Sequence, residues 1–163
     1  QDLFDDLDKE FSFTLDVCAD SKNAKCSTYY TKADDGLSKD WGKNVCWMNP
    51  PYGRTLTGKW MEKARAAASK GATVVCLIPA RTETAWWHNN VWDASEIRFL
   101  KGRLKFGNSA NSAPLPSVIV VYRPPVKWAS VDRSVTYTIS PITKKQRWVQ
   151  VQLAGSHTPT STA

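Results

Sequence analysis

Val45-Cys46-Trp47-Met48-Asn49-Pro50-Pro51-Tyr52-Gly53 decides how this chain reads. Four apolar residues make a short buried strand, and two prolines end it. Each proline pushes the residue before it out of the helical region, so Asn49 and Pro50 are held extended in a stiff exposed loop. Downstream, Gly58 to Lys70 is rich in helix formers and Gly71 is a natural terminator. Ala72 to Pro79 is then a continuous apolar run, as a parallel strand covered on both faces requires. Strand, loop, helix, strand in this order is a βαβ crossover, which predicts an α/β fold.

The loop itself places an amide side chain, a carbonyl and an aromatic ring at one strand tip. Those groups suit the capture of a planar NH2 group, whose nitrogen is a poor nucleophile because its lone pair is delocalised. If the Asn49 side-chain oxygen and the Pro50 carbonyl each accept one N–H, the lone pair localises and the developing charge is stabilised where it forms. Tyr52 would stack on the flat substrate. Methyl transfer from a sulfonium donor then requires mainly alignment. Taken alone, the same four residues also read as a turn closing a strand.

Upstream, Phe4, Leu7 and Phe11 recur at helical spacing, with Asp2 as N-cap and Asp5 and Asp6 in the first turn. Phe13 to Asp20 reads as a first strand ending in a carboxylate and small residues. Ligands of open α/β sheets bind beyond the carboxyl ends of strands, so Asp16 and Asp20 are candidates for holding a cofactor. Ser27 to Thr31 favours a second strand, with Asp35 at its tip in the turn Asp34-Asp35-Gly36-Leu37.

Further on, Arg81 to Thr84 precedes a short helix carrying Trp86, Trp87 and His88, one tryptophan expected in the core and the other outside. Glu96 to Leu100 alternates as a half-buried strand, Lys101-Gly102 turns, and Arg103 to Gly107 reads as a basic strand. Asn108 to Pro116 is a small-residue loop able to move over a site. Ser117 to Tyr122 is a last core strand. Beyond Pro124-Pro125 the texture changes: Ser134–Ile139 and Arg147–Leu153 alternate as a β-hairpin, and Ser156–Ala163 reads as disordered. The expected organisation is residues 1–125 as one domain and 126–163 as a β-rich extension.

The chain has 163 residues, enough for one proper core. No apolar run approaches the roughly 18 residues of a membrane span, so a soluble, intracellular protein is expected. Four cysteines without C-x-x-C spacing read as free thiols, and with only two histidines a metal site is not expected. Residues 1–40 hold ten acidic and five basic side chains, net −5, while 41–163 hold five and seventeen, net +12. A basic body fits a polyanion and the acidic front a cationic cofactor.

Taken in order, Phe13–Ala19, Asn23–Cys26, Asp34–Leu37, Trp41, Asn49–Gly53, Ile78–Thr82 and Arg98–Phe106 resemble the phage-type DNA N-6-adenine methyltransferases, a family of small Dam-like enzymes, over about residues 1–124. The resemblance implies a Rossmann-like, S-adenosylmethionine-dependent fold of three layers with a C-terminal β-hairpin appended. It implies Asn49, Pro50, Pro51 and Tyr52 as the catalytic motif gripping a flipped adenine. It implies Asp16, Val17, Cys18, Ala19 and Asp35 at the S-adenosylmethionine site, and Arg81, Arg103, Lys105 and Phe106 against double-stranded DNA. The expected setting is the cytoplasm of a bacterial host, with a phage or prophage gene. The Thr-Pro pair that the family often carries before the first helix is not present, and Gln1 reads as the trimmed end of a longer product. A glycine-containing form of the first motif is also absent. Two other readings stay open: a methyltransferase of protein glutamine amides, and a DNA-binding module without catalysis.

Overall fold

The computed structural model describes residues 2–53, 55–105, 112–125, 138–139 and 148–152. Helix α1 (Asp2–Phe11) opens the chain. It stops at Ser12, which takes φ 55°, and the Asp8 carboxylate accepts the Phe13 N–H at 2.8 Å, fixing the exit toward β1 (Leu15–Asp16). The crossover follows as the sequence implies: β2 (Val45–Met48), α2 (Leu56–Ser69) and β3 (Thr73–Pro79). Helix α3 (Ala85–Asn90) leads to β4 (Glu96–Leu100) and β5 (Ser117–Tyr122).

β1, β2 and β3 are parallel neighbours, with Leu15 beside Cys46 and Met48 beside Cys76. β5 then inserts antiparallel between β3 and β4, so the sheet is mixed. Beyond β4 come β7 (Trp148–Gln152), antiparallel to it, and β6 (Thr138–Ile139), antiparallel to β7. Since β5 opposes both β3 and β4, those two run the same way. The carboxyl ends of β1 to β4 therefore lie along one edge of the sheet, together with the start of β5.

Strand alternation divides the core into two layers. Cys46, Met48, Val74, Cys76, Ile78, Val118 and Val120 pack against Trp60, Met61 and Ala64 of α2 and Trp87 of α3. Trp47, Val75, Leu77, Ile119 and Val121 pack under Phe4 and Leu7 of α1. A sheet covered on both faces explains why these strands are apolar at nearly every position. As expected of neighbours on a helix, Trp87 is fully buried and Trp86 only partly.

Three expected strands differ from the structure. The first is two residues long instead of eight, and Ser27–Thr31 contributes a single bridge, Asp16 to Tyr29. The reason lies in the carboxylates: Asp16 and Asp34 accept the N–H groups of Cys18, Lys25 and Thr31, so the backbone curls instead of laddering. Residues 103–105 form no strand either. β5 and β7 already occupy both edges of β4, and Gly102 at φ 81° turns the chain away. Phe106, 108–111 of the small-residue loop, most of the expected hairpin and the expected disordered end lie outside the described residues.

Candidate active site

At the carboxyl end of β2 the chain leaves the core through Asn49 and a buried Pro50. The Tyr52 hydroxyl lies 3.3 Å from the Asn49 Oδ1 and 3.5 Å from the Leu77 carbonyl oxygen. Its single proton serves one of them at a time. The ring remains 43% exposed, so its hydroxyl is anchored while its flat body stays reachable. Gly53 donates its N–H to the Thr57 Oγ1 and accepts the Thr57 N–H, fastening the loop to the first turn of α2.

The opposite wall comes from residues 17–37, which are held without regular structure. Asp16 is buried, and its two oxygens accept the N–H groups of Cys18 (3.3 Å) and Lys25 (3.1 Å). Desolvation raises its pKa, and those two hydrogen bonds and the Lys25 charge only partly oppose it. Asp20 takes the N–H groups of Lys22 and Asn23, and Asp34 those of Thr31. Gly36 closes the wall: a Cβ there would meet the Val17 carbonyl oxygen at 2.2 Å, so only glycine fits. Its carbonyl accepts the buried Trp41 indole N–H at 2.8 Å, and Trp41 stacks on Trp60 of α2.

Between these walls is a cavity of about 810 Å³. Of the residues expected at the site, it brings together Asn49, Pro50, Pro51 and Tyr52 with Val17, Cys18, Ala19 and Asp35. Asp16 does not line it, and instead shapes the loop from beneath. The Cys18 thiol is pushed well up by burial and then by the Asp16 charge, although the Asn49 N–H lies beside it, so it is a neutral wall and no nucleophile.

Arg81, Arg103 and Lys105 lie outside the cavity lining. All three are exposed, and because they follow β3 and β4 they sit along the same edge of the sheet. Arg81 is ion-paired with Glu83. Phe106 lies outside the described residues. Sequence reading missed Lys32, Leu56 and Trp60, which also line the cavity. Leu56 is exposed near the start of a helix, Trp60 reaches the cavity from α2, and Lys32 reaches it from the same turn as Asp35.

Among the described residues no group of three metal-binding side chains is present, and no helix is long and apolar enough to cross a membrane.

The cavity's size falls in the usual range for small-molecule sites, roughly 300–1,000 Å³. Asp35 offers it a carboxylate for hydroxyl or ammonium groups, while Leu37, Trp60 and Pro50 give apolar surface.

Known proteins point the same way. The chain is 29% identical over 128 residues to a DNA N-6-adenine-methyltransferase of Haemophilus phage HP1 (strain HP1c1), covering 75% of this chain and 73% of that protein. It is 31% identical over 93 residues to a DNA N-6-adenine-methyltransferase of Escherichia phage T1, covering 56% of this chain and 38% of that protein. A shorter match, 44% identical over 46 residues, joins it to the putative methyltransferase YfdM of Escherichia coli (strain K12), covering 24% of this chain and half of that protein. The family model described as DNA N-6-adenine-methyltransferase (Dam) matches residues 1–148. With its Asn-Pro-Pro-Tyr loop on such a cavity, the chain belongs to the DNA N-6-adenine-methyltransferase (Dam) family.

Proposed function

We propose that this chain transfers a methyl group from S-adenosylmethionine to the N6 amino group of an adenine rotated out of double-stranded DNA, on a Rossmann-like domain formed by residues 1–125. Residues 126–163 are a β-rich extension of that domain. The observation that carries the reading is the shared cavity: Asn49 to Tyr52 form one wall and Val17 to Ala19 with Asp35 the other. Substrate amine and donor thus have adjoining places.

S-adenosylmethionine, when bound, supplies a methyl group made electrophilic by its sulfonium centre. Everything else falls to the chain. The Asn49 Oδ1 and the Pro50 carbonyl accept the two N–H groups of the adenine amine, so the nitrogen lone pair localises. The Tyr52 hydroxyl donates to one lone pair of the Asn49 Oδ1 and leaves the other for the substrate. The Tyr52 face stacks on the flipped ring. The surplus proton on the nitrogen leaves to water. The proline pair keeps these acceptors fixed, so little reorganisation is required at the moment of transfer. Cys18 takes no covalent part, its thiol being held neutral. Arg81, Arg103 and Lys105, on the same edge as the cavity, and Phe106 meet the DNA, the basic three at its phosphates.

The test is transfer of tritiated methyl from S-adenosylmethionine to duplex DNA, followed by digestion and chromatography of the nucleosides. A labelled N6-methyl-deoxyadenosine peak is expected. Donor binding with unlabelled DNA and labelled protein amide would replace adenine by glutamine as substrate. Absence of donor binding would leave a DNA-binding module.

A further inference from the structure

Five polar side chains of the 17–37 segment face the cavity: Asp20, Asn23, Thr31, Lys32 and Asp35. Three are spent inside the segment. The Asp20 Oδ1 accepts the N–H groups of Lys22 (2.8 Å) and Asn23 (3.1 Å), and its Oδ2 accepts the Asn23 Nδ2 (3.0 Å). The Asn23 Oδ1 in turn accepts the Asp20 N–H at 2.8 Å. The Thr31 hydroxyl donates to the Asp34 Oδ2 at 2.6 Å. That leaves Lys32 and Asp35, neither of which has a side-chain partner among the described residues.

Opposite charges three residues apart in a tight turn, closed by the Asp34 N–H donating to the Thr31 carbonyl at 3.1 Å, would ordinarily meet each other. Here they do not. Asp35 takes the left-handed backbone conformation, φ 51°, and Gly36 is fixed against the Val17 carbonyl. The turn therefore presents one cation and one anion separately to the same cavity, a pattern complementary to a zwitterion. Lys32 is the only cationic side chain that lines it among the described residues.

We propose that Lys32 binds the α-carboxylate of the methyl donor, with Asp35 accepting hydrogen bonds from the donor's ammonium group. This rests on the reading of the cavity as the S-adenosylmethionine site and adds the group that selects the amino-acid end. An ammonium carries three donors and no acceptor, so at this position it discriminates for a carboxylate and against its absence. A lysine at the mouth of a cavity could also meet a DNA phosphate, the other anion in the reaction, and the experiment separates the two.

The test measures calorimetric affinity of the wild-type chain, Lys32→Ala and Lys32→Arg for S-adenosylmethionine and for its decarboxylated form, together with duplex DNA affinity across salt concentrations. Lys32→Ala is expected to weaken S-adenosylmethionine binding about 10-fold or more and to leave the decarboxylated compound unchanged. Lys32→Arg is expected to restore most of the loss. Equal weakening of both compounds, or of neither, would overturn the assignment. So would a loss confined to DNA with a shallower salt dependence, which would make the contact a phosphate. If the wild-type chain binds neither compound, the donor reading itself fails and this assignment with it. If it binds both equally well, only the carboxylate assignment fails. Lys32 is exposed, so unchanged thermal melts should accompany every variant.

Discussion

The two ends of the sheet handle their polar side chains in opposite ways. At the carboxyl end of β1 to β4, a cavity of about 810 Å³ is bordered by Lys32 and Asp35, side chains without partners among the described residues. At the other end the Arg98 guanidinium is almost fully buried, with Glu10 on one side (2.6 and 2.7 Å) and Glu96 on the other (2.6 and 3.0 Å). Arg123 meets the remaining Glu96 oxygen at 2.5 Å, and both arginines lie over the Phe11 ring. Where groups are satisfied internally they can only hold the fold. Where they are left over they can bind something else. The difference assigns stability to one end, through the clamp of α1 on β4 and β5, and agrees with the proposed ligand binding at the other.

The most disruptive way to break that division is Arg98→Ala. It leaves Glu96 with Arg123 alone and releases Glu10; removing one partner of a buried pair costs about 3–5 kcal/mol, a ceiling here because Arg123 stays on Glu96. Denaturant unfolding should show that loss, while donor affinity at temperatures where the variant is folded stays unchanged. A change in donor affinity without a stability loss would reverse the assignment. Asp16→Ala blurs the division from the ligand end. It leaves two loop N–H groups without acceptors, at about 1–3 kcal/mol each if they stay buried, and because the same loop lines the cavity it should weaken the donor as well. Calorimetry and thermal melting on one preparation check both effects.

Acid sharpens the contrast further. Burial alone would raise the Glu96 pKa, but Arg98 and Arg123 together outweigh it and hold the carboxyl below its usual 4.5. A depressed folded-state pKa means stability present above the unfolded value and lost as pH falls through the folded one. Glu96→Gln should therefore flatten the decline of stability as pH falls below about 5. Asp16 has the opposite sign: its raised pKa favours folding more in acid, so Asp16→Asn should not flatten that decline. Smallest of all is Tyr52→Phe. It keeps the stacking ring and loses two long contacts, so single-turnover methylation should fall by roughly 3- to 10-fold with donor affinity intact.

Much of the cavity end is legible in the sequence, because its chemistry is local. Prolines after a short apolar strand dictate a stiff loop from Met48 onward, and a glycine-ended helix before Thr73 dictates the crossover. The stability end was not readable. Glu96 and Arg98 look like the solvent face of an alternating strand, and nothing in their neighbourhood signals Glu10, 88 residues away from Arg98 in the chain. The wall from Val17 to Leu37 was half readable. Its acidic residues stand out in the sequence, but the turns that put the Asp16 oxygens on the Cys18 and Lys25 N–H groups, and Lys32 on the cavity, do not. Strand propensity in Ser27–Thr31 was overridden by carboxylates that take the backbone N–H groups first.

The measurement closest to the central claim is the single-turnover methylation rate of Asn49→Ala on duplex DNA, taken with its S-adenosylmethionine affinity and melting temperature. Loss of an acceptor that stabilises developing charge should slow transfer by about 100-fold or more, with donor affinity and melting temperature near those of the parent chain. A rate close to the parent's would show that the β2 loop does not hold the reacting amine, and the functional account of this cavity would fall.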